Sequence, residues 1–168
     1  RRSAVYLEHR DAAAWQQRQA ELAAAAAAQK ALDTRACDRI ALGDEICEKA
    51  HALQSKQSNP LSYRRRPGRD VRTGGFMAFT LSNTAKARIL RLRYWGDETR
   101  RRFRILVDGE LIANERLDGN RRLDFVDVDY ALPAAVAGRA ALQIRIEPET
   151  GYSAGPVFGC WVLEKATL

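Results

Sequence analysis

From Gly74 to Leu163, apolar side chains recur at every second position, in short runs separated by turn signals. A period of two sends successive side chains to opposite faces, so each run must bury one face and hydrate the other. Runs of this kind, strung together with turn signals between them, constrain the chain to an antiparallel β-sandwich. Phe76 to Leu81 sets Met77, Phe79 and Leu81 on one face. Arg88 to Trp95 sets Leu90, Leu92 and Tyr94 against Ile89, Arg91, Arg93 and Trp95. Arg102 to Val107 aligns Phe103, Ile105 and Val107, and Asp108-Gly109 follows as a two-residue hairpin signal of type I′, in which both residues need positive φ. Glu110 to Leu117 is the return strand. Leu123 to Tyr130 turns Val126, Val128 and Tyr130 inward and Asp127 and Asp129 outward; Ala141 to Ile146 and Val157 to Leu163 complete the set. The expected fold is mainly β: an antiparallel β-sandwich, jelly-roll-like, of about seven or eight short strands preceded by one N-terminal α-helix.

That helix is read over Ala12 to Leu32, rich in Ala, Gln, Glu and Lys, with Asp11 as N-cap and a short strand before it over Arg1 to His9. Its larger apolar residues are Trp15, Leu22 and Leu32, and Trp15 and Leu22 share a face. A stripe this thin needs a partner surface to be stable. The expected organisation is therefore residues 1–35 as the end of a preceding domain plus a connector helix, and 36–168 as the sandwich. Ile40, Leu42 and Ile46 suggest a short extended piece, Gly43-Asp44 a turn, and the polar stretch Ser55 to Arg72, with Pro60, Pro67 and Gly68, a long loop closing one end of the sandwich.

Charge and cysteines bound the function. The net charge of +7 raises nucleic acid as a partner, but the arginines cluster in expected loops or strand ends, at Arg64-Arg65-Arg66, Arg100-Arg101-Arg102 and Arg121-Arg122. We read them as solvated loop charge, and expect no nucleic-acid partner. No run approaches the ~20 apolar residues that span a bilayer, so no membrane partner is expected either. Cys160 sits in an apolar strand and reads as a buried thiol; Cys37 and Cys47 could pair in an oxidising compartment. Credible metal ligands are too few for a zinc site, and no cofactor is expected in this chain.

A hydrolase needs paired carboxylates, a nucleophile beside a base, or a metal. The chain has His9 and His51 as its histidines, and neither has an obvious nucleophile close in sequence. No catalytic residue is assigned. His51 reads as a side chain that ties down a loop, with ligand contact as the sharper alternative. Aromatic faces stack on the apolar faces of sugar rings, which makes Tyr63, Trp95, Tyr152 and Trp161 candidates. For each, packing is the plainer role. The ligand-binding candidates are Trp95, Tyr152, His51 and Tyr63.

The order of short motifs carries a resemblance. Gly43-Asp44-Glu45 precedes Glu48-Lys49-Ala50-His51-Ala52-Leu53-Gln54; then come Gly74-Gly75-Phe76, Leu92-Arg93-Tyr94-Trp95-Gly96, Phe103 through Gly109, and Gly155 through Cys160. Together with Ala14-Trp15-Gln16 and the alanine/glutamine helix, this resembles the C-terminal all-β domain of bacterial proteins of glycoside hydrolase family 127, the β-L-arabinofuranosidase-like group. The resemblance implies an accessory domain that packs on and supports a catalytic domain of the same polypeptide. It also implies that the cysteine nucleophile, glutamate acid/base and zinc ion of those enzymes lie in that absent domain. Met77 and Ala78 depart from the family pattern, which tends to an aromatic after Gly74-Gly75-Phe76. The alternative function is a carbohydrate-binding module for plant-type, arabinose-containing glycans. A periplasmic or secreted location is compatible with either.

Overall fold

The computed structural model describes residues 2–165, and side chains from residue 11 onward. It divides into two compact units, residues 1–35 and 36–168.

The first unit is one helix, α1 (Arg2–Arg35). The strand expected over Arg1 to His9 is not formed: the backbone is helical from Arg2, and Asp11 lies inside the helix rather than at its cap. Once the alanine-rich segment has nucleated, each further residue adds a hydrogen bond at little cost. No glycine or proline stands before Asp11 to stop the helix propagating backwards. Trp15 and Leu22 are 64% and 56% exposed. No helix among the described residues is long and apolar enough to cross a membrane.

The second unit is the sandwich. Its elements in chain order are β1 (Ala36–Ile40), α2 (Glu45–Ala50), β2 (Gln54–Tyr63), β3 (Arg66–Ser82), β4 (Ala87–Trp95), β5 (Arg101–Val107), β6 (Glu110–Leu117), β7 (Phe125–Ala131), a 3-10 turn at Ala134–Val136, β8 (Ala141–Pro148), β9 (Ala154–Val157) and β10 (Gly159–Glu164). A four-stranded sheet runs β1-β10-β4-β7, and a six-stranded sheet runs β2-β3-β8-β5-β6 with β9 on β3. Every pairing between these strands is antiparallel. The core is the alternation made physical. Ile40, Leu90, Leu92, Tyr94, Cys160 and Val162 of one sheet face Met77, Phe79, Leu81, Phe103, Ile105 and Ile144 of the other. The hairpin at Asp108 and Gly109 has φ of 49° and 81°, as type I′ demands. Asp127 and Asp129 lie on the outer face, each gripped by two nitrogens of Arg93 and Arg91 at 2.6–2.9 Å.

Three expectations are corrected. The stretch Ser55 to Arg72 is the hairpin of β2 and the start of β3, not a loop. Pro60 is tolerated because β2 is an edge strand, with one side free of ladder bonds, and Pro67 stands at the start of β3, just after the turn. Its turn residues Arg64 and Arg65 both take positive φ, 48° and 65°. The run Val157 to Leu163 is divided: β9 pairs with β3 in one sheet, whereas β10 joins β1 and β4 in the other. Ile46, expected on an extended piece, lies on α2 and is 84% exposed, while Ile40 and Leu42 are buried.

A buried ion pair ties α2 to the sheet. Arg69 Nε and Nη2 donate to the two oxygens of Glu48 at 2.9 Å each, Gly43 N–H donates to Glu48 Oε1, and Arg69 Nη1 donates to Ser58 Oγ at 3.1 Å. A second network crosses between sheets. Tyr94 and Tyr130 hydroxyls are 2.8 Å apart, Tyr130 donates to Glu115, and Arg121 Nη2 donates to the other oxygen of Glu115 at 3.1 Å. Burial, and then the Glu115 carboxylate accepting its hydrogen bond, push the Tyr130 phenol far above its ordinary range.

Candidate functional site

The strand ends bring five segments to one end of the sandwich: the β2–β3 tip, the β4–β5 loop, the β6–β7 loop, the β8–β9 loop and the β9–β10 junction. Backbone bonds fasten the loops to one another. Gly96 N–H donates to Asp124 O at 2.9 Å, Gly119 N–H to Glu98 O at 2.8 Å, and Glu149 N–H to Arg102 O at 2.9 Å. Gly96 is required at its place: a Cβ there would stand 1.9 Å from Arg122 O. Gly151 N–H reaches Thr73 Oγ1 at 2.9 Å, and Arg101 bridges to Ser153.

An aromatic chain runs through this end. Tyr63 meets Trp95 edge-on with centroids 5.0 Å apart, Trp95 meets Phe125 at 5.2 Å, and Phe125 meets Phe158 at 4.9 Å. Arginines cover the rings. The guanidinium of Arg64 lies 4.8 Å from the Trp95 centroid, that of Arg66 4.7 Å from Phe125, and that of Arg102 4.6 Å from Tyr152. Beside the chain opens a cleft of about 360 Å³, lined by Leu61, Ser62, Tyr63, Trp95, Asp97, Glu98, Pro156 and Phe158. A wider depression of about 960 Å³ adjoins it across Glu98, lined by Thr99, Arg100, Arg101, Arg102, Asp118, Gly151, Tyr152 and Ser153.

The sequence candidates divide. Tyr63 and Trp95 come together in the cleft, and Tyr152 lines the adjoining depression. Trp95 is 7% exposed and packed on its neighbours, so it shapes the wall rather than offering an open face; Tyr63, at 41%, is the accessible ring. Trp161 is buried on the outer sheet face, where its ring would meet a Cβ on Gly159 at 2.6 Å and Arg93 stacks on it at 4.7 Å. Met77 is in the core and does not line the cleft.

His51 belongs elsewhere. Its Nδ1 is 2.7 Å from Cys47 O, its Nε2 is 3.1 Å from Asp38 Oδ1, and its carbonyl accepts Thr80 N–H late in β3. This ties the α2–β2 junction to β3. Burial would raise the Asp38 carboxyl, but the N–H of Ser82, the His51 side chain and the N–H of Arg39 together outweigh it. The result lies below the usual carboxylate range. Cys47 Sγ, one helical turn before His51, stands 3.8 Å from its Nδ1 and accepts Ala41 N–H at 3.2 Å. The i, i+4 spacing on α2 is the signal that would have linked Cys47 to His51. All three cysteines are free thiols, and burial drives the thiol of Cys160 far above its ordinary range. Among the described residues no group of three or more His, Cys, Asp or Glu could hold a metal ion.

Sequence reasoning did not single out Phe125, Phe158, Asp97 or Glu98. The apolar pair reads as core in an alternating pattern, and acidic loop residues carry no pattern at all.

The profile of DUF6805, a family of unknown function, matches residues 31–163. The chain belongs to this family. No curated protein matches it. Among solved structures, this DUF6805 chain is similar to a native family 35 carbohydrate-binding module from Clostridium thermocellum. The TM-score is 0.51 at 14% identity, over 67% of this chain and 92% of that one. It is also similar to a carbohydrate-binding module of Cellvibrio mixtus lichenase 5A in complex with cellotriose, with TM-score 0.52 at 8% identity, over 78% and 99% of the two chains. A third likeness is to an exo-β-1,3-galactanase from Phanerochaete chrysosporium, with TM-score 0.50 at 16% identity. It covers 66% of this chain and 27% of the enzyme. At such identities the likeness establishes the fold, an antiparallel sandwich of the kind these modules share.

Proposed function

We propose that the sandwich is a carbohydrate-binding module whose ligand lies in the cleft beside Tyr63. The observation that carries this reading is the cleft itself. An exposed aromatic ring stands beside Ser62, Asp97 and Glu98, on loops fastened to a rigid sandwich. A flat ring holds the apolar face of a sugar, and polar groups beside it receive the hydroxyls. The cleft's volume is at the size that encloses small ligands, about 300–1,000 Å³. The fold-level likeness to a family 35 module and to a cellotriose-bound module supports the same reading. Arabinose-containing plant glycans are the ligand class to test first, on the resemblance to the β-L-arabinofuranosidase-like group. A glycan array holding arabinan and arabinogalactan fragments tests it, run with the full chain and with Tyr63→Ala. Binding that Tyr63→Ala removes is the expected result; a folded chain that binds no glycan refutes the reading.

A second reading has its own observation, the exposed Trp15 and Leu22 on α1. In it the chain is an accessory domain of a family-127-like glycoside hydrolase, and α1 packs on the catalytic domain of the same polypeptide. Replacing Trp15 and Leu22 by Gln in the longer protein should then lower its melting temperature. An unchanged melting temperature removes this reading.

A further inference from the structure

All three arginine clusters of the sequence fold to the end that carries the cleft, where several of their charges have no carboxylate partner. Within the sheets Arg69 pairs with Glu48, Arg91 with Asp129, Arg93 with Asp127 and Arg104 with Glu147. At the cleft end Arg101 holds Glu98 at 3.2 Å, Arg121 holds Glu115 at 3.1 Å, and Arg116 stands 3.5 Å from Asp118. Glu98, Glu115 and Asp118 are thereby occupied, whereas Asp97 in the cleft wall forms no ion pair among the described residues. Among the described residues Arg64, Arg100 and Arg102 form no ion pair.

Two of these are also held in place. Arg64 is stacked on Trp95, which lines the cleft, and Arg102 on Tyr152, which lines the depression. Arg100, exposed and at φ 57°, stands at the tip of the loop between them. A guanidinium held over a ring face spends no N–H donor on it, and its donors match a carboxylate or sulfate in a two-point grip.

We infer that the ligand of this end of the sandwich is an acidic glycan, gripped at its carboxylate or sulfate groups by Arg64, Arg100 and Arg102 while a sugar ring lies against Tyr63. This rests on the carbohydrate-binding reading and adds the charge of the ligand to it. Uronate and sulfated sugars supply the same chemistry, an oxyanion on a pyranose ring. Single-stranded nucleic acid needs a run of open rings on which successive bases stack, whereas Trp95 and Phe158 are buried in the cleft wall and Tyr63 is its exposed ring, which favours a sugar.

The experiment is calorimetric titration of the full chain with four probes: tetragalacturonate, its fully methyl-esterified counterpart, a sulfated carrageenan tetrasaccharide and a single-stranded RNA dodecamer. The ester keeps every sugar ring and removes every charge. Binding of either acidic tetrasaccharide, about tenfold or more tighter than the ester, is expected, and which of the two binds identifies the source of the oxyanion. The double substitution Arg100→Gln, Arg102→Gln should erase that difference and leave the near-ultraviolet circular dichroism unchanged. Tyr63→Ala should remove binding of the acid and the ester alike. Equal binding of acid and ester overturns the inference and leaves the carbohydrate-binding reading standing. Binding of no glycan here or on the array overturns both. RNA bound as tightly as the acidic sugars makes the surface an unselective polyanion patch and overturns the inference.

Discussion

Removing the carboxylate of Glu48 should be among the most damaging single changes in the sandwich. Glu48 and Arg69 are 6% and 8% exposed, and their two parallel bonds of 2.9 Å exclude water from both charges. In Glu48→Ala the guanidinium keeps Ser58 Oγ at 3.1 Å and loses its counter-charge, and Gly43 N–H loses its acceptor. A buried charge stripped of its partner costs about 3–5 kcal/mol, much of it the desolvation that the pair had offset. Removing both charges should cost less than removing one, because no ion is then left buried. The assay is urea unfolding of the full chain followed by tryptophan fluorescence, comparing Glu48→Ala, Arg69→Met and the double variant Glu48→Met, Arg69→Met. A loss below about 1 kcal/mol in Glu48→Ala would place the pair among solvated ion pairs and refute the argument. So would a double variant less stable than Glu48→Ala.

Other outcomes follow from the same geometry. Gly96→Ala should cost about 1–3 kcal/mol, because its Cβ would stand 1.9 Å from Arg122 O and must push the β6–β7 loop away; thermal unfolding checks it. Tyr63→Ala should leave the melting temperature within about 2–4 °C of the parent, since its ring is 41% exposed, while abolishing glycan binding. Asp38 makes stability depend on pH. Its folded carboxyl titrates below the ordinary value of 3.8, so its contribution is present above about pH 4 and is lost as pH falls through the folded value. Asp38→Asn should flatten that acid limb, measured by urea midpoints between about pH 2 and 5, the range in which free aspartate titrates.

The strands legible in the sequence are those with one buried face. β4 and β6 repeat their expected bounds to within a residue, because one-sided burial writes itself as alternation. The β2–β3 hairpin is illegible for the opposite reason. Most of β2 is exposed on both faces, and the turn is made by two arginines in place of the glycine or asparagine that announces type I′. The division of Val157 to Leu163 between sheets is a tertiary choice, and every residue of that run is apolar or glycine whichever sheet it joins. For the site, Tyr63, Trp95 and Tyr152 were recognisable as sugar-type aromatics, but nothing in the order of residues brings the β2–β3 tip to Trp95. The arginine clusters read one by one as solvated loop charge. Their convergence is a property of the fold, in which strands far apart in sequence end on the same rim.

The measurement that tests the central claim most directly is a ¹H–¹⁵N correlation spectrum of the full chain, titrated with arabino-oligosaccharides and with tetragalacturonate. The account predicts saturable shifts at Ser62 to Arg66, at Gly96 to Arg102 and around Tyr152, with the amides of Asp38 and His51 unmoved. Shifts centred on His51, or none anywhere at saturating glycan, would contradict it.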